Sequence, residues 1–144
     1  MEATVKISAR VRNAFEDHQV MVSTNGVEHA LGIPSRPGGY GSGANGGELL
    51  FLALATCYCN DIYREAAARG IVVERVEVDV EGAFGGIGEP AREIRYRALV
   101  AARADAATIE TLMRETDRVS EIQNTLRLGV PVVLEEIEAV SLSG

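Results

Sequence analysis

Cys57 is the residue in this sequence best suited to chemistry. It ends the run Leu49-Leu50-Phe51-Leu52-Ala53-Leu54-Ala55-Thr56 and precedes Tyr58, Cys59 and Asn60. Two readings fit a cysteine there. One is a small buried hydrophobe. The other is a thiolate nucleophile, which needs a nearby cation or hydrogen-bond donor to lower its pKa. Cys59 lies two positions on, and residues i and i+2 of a helix point to nearly opposite faces. A disulfide between the two would require local unwinding, and a metal site would need two further ligands that the local sequence does not supply. Glu48 precedes Cys57 by about two and a half helical turns, ~13 Å along the axis. It is placed to cap the helix or to shape a substrate path, not to touch the sulfur. Arg36 stands between Pro34 and Pro37. It is either a solvated loop charge or a guanidinium that stabilises a thiolate or a developing oxyanion. Arg12 is a second cation of the same kind.

The elements that must position these residues are readable from periodicity. Residues 4–11 alternate as a strand, with Val5, Ile7 and Ala9 on one face. Residues 20–24 and 27–31 flank Asn25-Gly26, whose positive φ suits a type I′ hairpin. Residues 33–47 are rich in glycine and proline and predict a long irregular loop, of a length often given over to function. The loop lacks the Gly-Lys-Ser/Thr ending of a phosphate-binding loop. Residues 48–69 predict a helix of roughly 33 Å. Asn45 and Glu48 form its capping box, and Gly70 is its stop. Its first half is apolar on every face, which predicts burial all round. Its second half, from Asn60 to Arg69, reads as amphipathic and exposed.

Residues 71–84 and 92–102 alternate as two strands around a turn at Gly85–Pro90. Asp105 caps a second helix with Ile109, Leu112 and Met113 on one face. Ser120 and Gln123 read as a further capping box, opening a short helix that stops at Gly129. Residues 130–140 predict a last strand. The order βββ-α-ββ-α-α-β is not strictly alternating, so the fold class is α+β and not doubly wound α/β.

Composition narrows the function. The chain has 144 residues, 14 basic and 21 acidic, for a formal charge of −7. That length predicts one domain, 1–144, with a real core. A pI near 4.9 argues against nucleic-acid binding, which wants a basic face. Two cysteines make no disulfide framework, and His18 and His29 make no zinc site. Neither a cofactor nor a resident metal is expected. The N-terminus has no apolar leader, and no run of ~18 apolar residues would span a membrane. The expectation is a soluble, cytoplasmic, thiol-reduced protein.

The stretch from Ala44 to Cys57 resembles the N-P-x-E-L…A-x-C helix of the OsmC/Ohr family of osmotically inducible and organic hydroperoxide resistance proteins. Similar family stretches are Arg69-Gly70-Ile71-Val72-Val73-Glu74 and Arg118-Val119-Ser120-Glu121-Ile122-Gln123-Asn124. The resemblance implies an intertwined α+β homodimer with central helices buried between two sheets. It also implies a helix cysteine that attacks an organic hydroperoxide, supported by an Arg and a Glu, and a second cysteine in C-P-x-S that resolves the sulfenic acid. Carried over, Cys57 matches the peroxidatic cysteine, and Arg36 falls near the loop arginine. Gly47 falls where Ohr-type members carry their glutamate, with Glu48 one place later. Ser120 stands at the resolving position, followed by Glu121 in place of proline. The expected site is therefore Cys57, Arg36 and Glu48, working without an intramolecular resolving cysteine and restored by an external thiol. The alternative is a non-peroxidatic OsmC-like protein that binds a small apolar ligand at the dimer interface.

Overall fold

The computed structural model describes residues 4–142. Met1–Ala3, on which part of the reading against a leader rests, lie outside the described residues. The elements run β1 (Ile7–Ala14), β2 (Asp17–Thr24), β3 (Val27–Leu31), α1 (Gly46–Ala68), β4 (Val73–Phe84), β5 (Ala91–Ala102), α2 (Ala106–Val119) and α3 (Glu121–Leu128). Both sheets are antiparallel, so the class is α+β as the element order predicts. The chain forms two compact units that meet within α1, one up to Phe51 and one from Leu52.

In the first unit β1, β2 and β3 form a meander. Asn25 and Gly26 adopt φ of 48° and 83°, the positive values a type I′ turn requires, and Thr24 pairs with Val27. The Asn25 side chain also accepts from the Lys6 backbone N–H at 2.9 Å. The first strand starts three residues later than periodicity suggests, because Ile7 is the first residue opposite β2, paired with Thr24. The glycine loop is irregular but closed on itself. Ser35 bridges Ser42, and the Gly43 N–H donates to the Pro34 carbonyl at 2.8 Å. A Cβ on Gly43 would meet that carbonyl at 3.0 Å, so a larger residue would have to push the Pro34 backbone aside. Asn13 accepts from the Gly41 N–H, and Phe15 packs on Tyr40 with ring centroids 5.3 Å apart. The loop is thereby tied to the β1–β2 hairpin.

In the second unit the core is Tyr58, Ile62, Ala66 and Leu112, packed against Val76, Val78, Tyr96, Ala98 and Val100. Tyr58, Ile62 and Ala66 recur every four residues, so one stripe of α1 faces the β4–β5 sheet and α2. The expectation for the helix is met only in part: the buried stripe begins at Leu54 in its first half and continues through its second, whereas Leu49 and Leu52 are exposed in the single chain. The expected last strand is also absent. Residues 130–142 are described without a ladder, and their apolar side chains stand in solvent. A strand needs an edge to pair with, and this segment has none within the described residues.

Candidate functional site

Cys57 sits on α1 one helical turn before Asp61, and its thiol donates to Asp61 Oδ2 at 3.3 Å. The i, i+4 spacing on a helix brings the two side chains over one another. The start of α3 closes the site: Glu121 Oε1 lies 3.8 Å from Cys57 Sγ. Arg64 completes it, with ion pairs to Asp61 Oδ1 at 3.1 Å and Glu121 Oε2 at 2.9 Å. The cluster is thus a thiol, two carboxylates and one guanidinium. Asp61 is buried, Cys57 half-buried and Glu121 exposed.

This environment disfavours the thiolate. Burial pushes the Cys57 thiol up to about 11, and the hydrogen bond to Asp61 and the negative charges of Asp61 and Glu121 add to it. The Ile122 backbone N–H, at the positive end of α3, works the other way and loses. Asp61 is itself raised, first by burial and then by Glu121; the Cys57 hydrogen bond and Arg64 oppose the rise. Burial also raises Glu121, but its own backbone N–H, Arg64 and Asp61 outweigh that and lower it. The two carboxylates are thus shifted in opposite directions, Asp61 upward and Glu121 downward, and Asp61 is the nearer of the two to the thiol.

Cys57, Asp61 and Glu121 offer three ligand atoms within 4.8 Å of one another, the donor set that sequence reasoning could not find around Cys57. Arg64 already supplies the positive charge that balances the two carboxylates. Cys59 is free as well.

The other expected site residues lie in the first unit. Glu48 and Asn45 make the reciprocal capping box, with Glu48 N–H to Asn45 Oδ1 at 2.8 Å and Asn45 N–H to Glu48 Oε1 at 2.9 Å. Arg36 lies along its own loop. Its Nε donates to the Ser42 carbonyl at 3.3 Å and sits where a Cβ on Gly41 would come within 3.4 Å. Gly41 has φ of 98°, a conformation that favours glycine. Arg12 lies opposite Gln19 on β1 and lines an open concavity of about 560 Å³ with Arg10 and His18.

Ser120 corrects one expectation. It is the N-cap residue of α3, but its hydroxyl makes no capping bond and instead donates back to the Thr116 carbonyl at 2.8 Å. Gln123 does not close a box either. It is buried, and its Nε2 donates to the Leu54 carbonyl on α1 at 3.0 Å. The pair is spent on joining α2, α3 and α1.

Sequence reasoning missed Asp61, Arg64 and Glu121. Asp61 had a signal in its i+4 spacing from Cys57, and Arg64 had one in its i+3 spacing from Asp61. Glu121 is 64 residues from Cys57 and had none.

The model of the OsmC-like protein family matches residues 39–135. The chain belongs to the OsmC-like family. Solved structures share its fold. An OsmC-like protein from Mycoplasma pneumoniae is 19% identical, with 88% of this chain and 89% of that one covered and a TM-score of 0.60. A hypothetical protein from Aquifex aeolicus is 14% identical over 89% of each chain, with a TM-score of 0.61. An organic hydroperoxide resistance protein OsmC from Legionella pneumophila is 20% identical, with 88% and 92% covered and a TM-score of 0.50. No curated protein matches the sequence. Among the described residues of this OsmC-like chain, no helix is long and apolar enough to cross a membrane.

Proposed function

We propose that this OsmC-like chain reduces organic hydroperoxides with Cys57 as the nucleophile. The observation that carries the reading is the 3.3 Å hydrogen bond from a half-buried thiol to a carboxylate able to take its proton. Sγ attacks one peroxide oxygen, the S–O bond forms and the O–O bond breaks. The sulfur is oxidised to a sulfenic acid and the peroxide reduced to an alcohol. The thiol proton passes to Asp61 and from there to the departing alkoxide. Arg64 keeps Asp61 in place. Arg36 is the cation proposed to support the developing charge, and Glu48 fixes the start of the helix that carries Cys57. Ser120 cannot form a disulfide, so an external thiol returns the sulfenic acid to Cys57 in two steps, releasing water and an oxidised thiol pair.

The working unit proposed is a single OsmC-like domain in a cytoplasmic homodimer, without cofactor, metal, nucleic-acid or membrane partner. The support for the dimer is the apolar segment after α3, where Val132 is 98% exposed, Leu134 82% and Ile137 82% in the single chain.

The test is intact-mass spectrometry of the reduced protein with one equivalent of cumene hydroperoxide and dimedone, beside Cys57→Ser. Rapid dimedone labelling of the wild type alone is the expected result. Labelling only at large excess over hours would sink the peroxidase reading. One observation favours the second reading, a non-peroxidatic protein that binds a small apolar ligand. A thiol at about 11 holds only roughly one part in ten thousand as thiolate at pH 7.

A further inference from the structure

The charges around Cys57 are arranged by depth. Asp61 Oδ2 lies 3.3 Å from Sγ and Glu121 Oε1 lies 3.8 Å from it. The Asp61 side chain is 8% exposed and the Glu121 side chain 63%. Asp61 therefore backs the sulfur from the protein side, and Glu121 stands on the side that opens to solvent. Arg64 is the cation of the cluster, and its charge is shared among Asp61 at 3.1 Å, Glu121 at 2.9 Å and Glu65 at 3.1 Å. Glu65 also takes Arg69, at 3.0 Å, so three carboxylates draw on two guanidinium groups. Arg118 and Arg127, the arginines nearest to Glu121 in the sequence, are paired with Glu115 and Asp117. Asp61 and Glu121 both act on the thiol as negative charges.

A solute that reaches Sγ from solvent passes Glu121. Two like unit charges about 7 Å apart at a protein surface slow an encounter by roughly threefold to fiftyfold, according to how much water lies between them. A repulsive charge of this kind is one way a site tells apart partners of equal size.

We infer that Glu121 is a specificity-determining residue: it makes the Cys57 site select neutral organic hydroperoxides and reject those that carry a carboxylate beside the reacting group. The assignment of hydroperoxides rests on the peroxidase reading. The selection by charge belongs to the site itself and applies to any electrophile that the Cys57 thiolate attacks.

The test compares reagents that differ in charge and little in size: iodoacetamide with iodoacetate, and cumene hydroperoxide with its para-carboxylate. Full-length protein carrying Cys59→Ser reports Cys57 alone. The iodoacetamide-to-iodoacetate rate ratio of the folded protein is divided by the same ratio in urea, which removes the intrinsic difference between the reagents. The thiol pKa cancels from this quotient, because both reagents consume the same thiolate. A quotient of about five or more is expected at low ionic strength, falling toward one in molar salt. Glu121→Gln should lower it about threefold. Glu77→Gln makes the same change in net charge and should leave it unaltered, since Val76 and Val78 face the core and Glu77 the other side of the sheet. The salt dependence needs no variant and stands if Glu121→Gln fails to fold. Cumene hydroperoxide should outpace its carboxylate in the same order. A quotient near one, or one that neither salt nor Glu121→Gln lowers, overturns the inference. Faster reaction of the charged reagents also overturns it, and would give the site to a cation such as Arg36. If the alkylation ratios hold and neither hydroperoxide reacts, the peroxidase reading falls with its substrate, and Glu121 stands as the charge filter of the thiol.

Discussion

At Cys57 burial pushes the thiol up and a pair of carboxylates adds to the push, against the pull of the α3 N-terminus. The consequence is measurable with a reagent that needs no peroxide. Alkylation of Cys57 by iodoacetamide should rise about tenfold per pH unit from neutrality and level off only near pH 11. Glu121→Gln removes one of the two negative charges and should bring the midpoint down. A midpoint unchanged by that substitution would mean that burial and Asp61 set the thiol without Glu121. Asp61→Asn separates two roles of the same carboxylate. It should speed alkylation at pH 8, because the repulsion is gone. It should lower the ratio of hydroperoxide rate to alkylation rate, because iodide needs no proton on leaving and an alkoxide does. The linkage sign follows from the same shift. A thiol whose pKa is raised on folding contributes stability that is full below the unfolded value, near 9, and is lost as pH climbs toward about 11. Cys57 itself was legible in the sequence as the cysteine of a recognisable helix. Its neighbourhood was only half legible. Asp61 shares the helix, but Glu121 arrives through the chain path of two strands and a helix, which no local spacing encodes.

At the scale of elements, local chemistry decided most of what could be read. The Asn-Gly hairpin, the Asp105 cap of α2 and the stop at Gly129 all depend on interactions within four residues, and all are present. The Asn45–Glu48 box belongs to the same class. Asn45→Ala should cost about 1 kcal/mol in urea denaturation, and Glu48→Gln, which keeps an acceptor oxygen, should cost less. Equal losses would assign the effect to charge at the helix N-terminus instead. Where the reading failed, the missing information was tertiary. Ser120 and Gln123 have the spacing of a cap, but each found a better partner in another helix, Thr116 behind and Leu54 across. The stripe at Tyr58, Ile62 and Ala66 was hidden by the charged residues between them. Composition marked that half of α1 as exposed, although every fourth residue faces the core.

For the whole molecule, the governing fact is apolar surface left over. Val132 is 98% exposed, Leu134 82% and Ile137 82%, in the segment whose alternation predicts a strand. The structure forms no strand there, and among the described residues no edge pairs with the segment. If a second copy supplies that edge, light scattering coupled to size exclusion should give a dimer mass at micromolar concentration. Truncation after Gly129 should shift it toward monomer. A monomer mass for the full-length chain would remove the dimer and any interface pocket with it.

The same bare segment carries a second meaning. Val132-Val133-Leu134 is an uncharged, β-prone run held below the six or seven residues that stack into fibrils, because Pro131 bounds it on one side and Glu135 and Glu136 on the other. Those flanks act as gatekeepers: a proline that cannot donate to a ladder, and two like charges that repel their counterparts in a stack. Replacing Glu135 and Glu136 with apolar residues should lengthen the run and raise turbidity at neutral pH, while iodoacetamide alkylation of Cys57 stays unchanged.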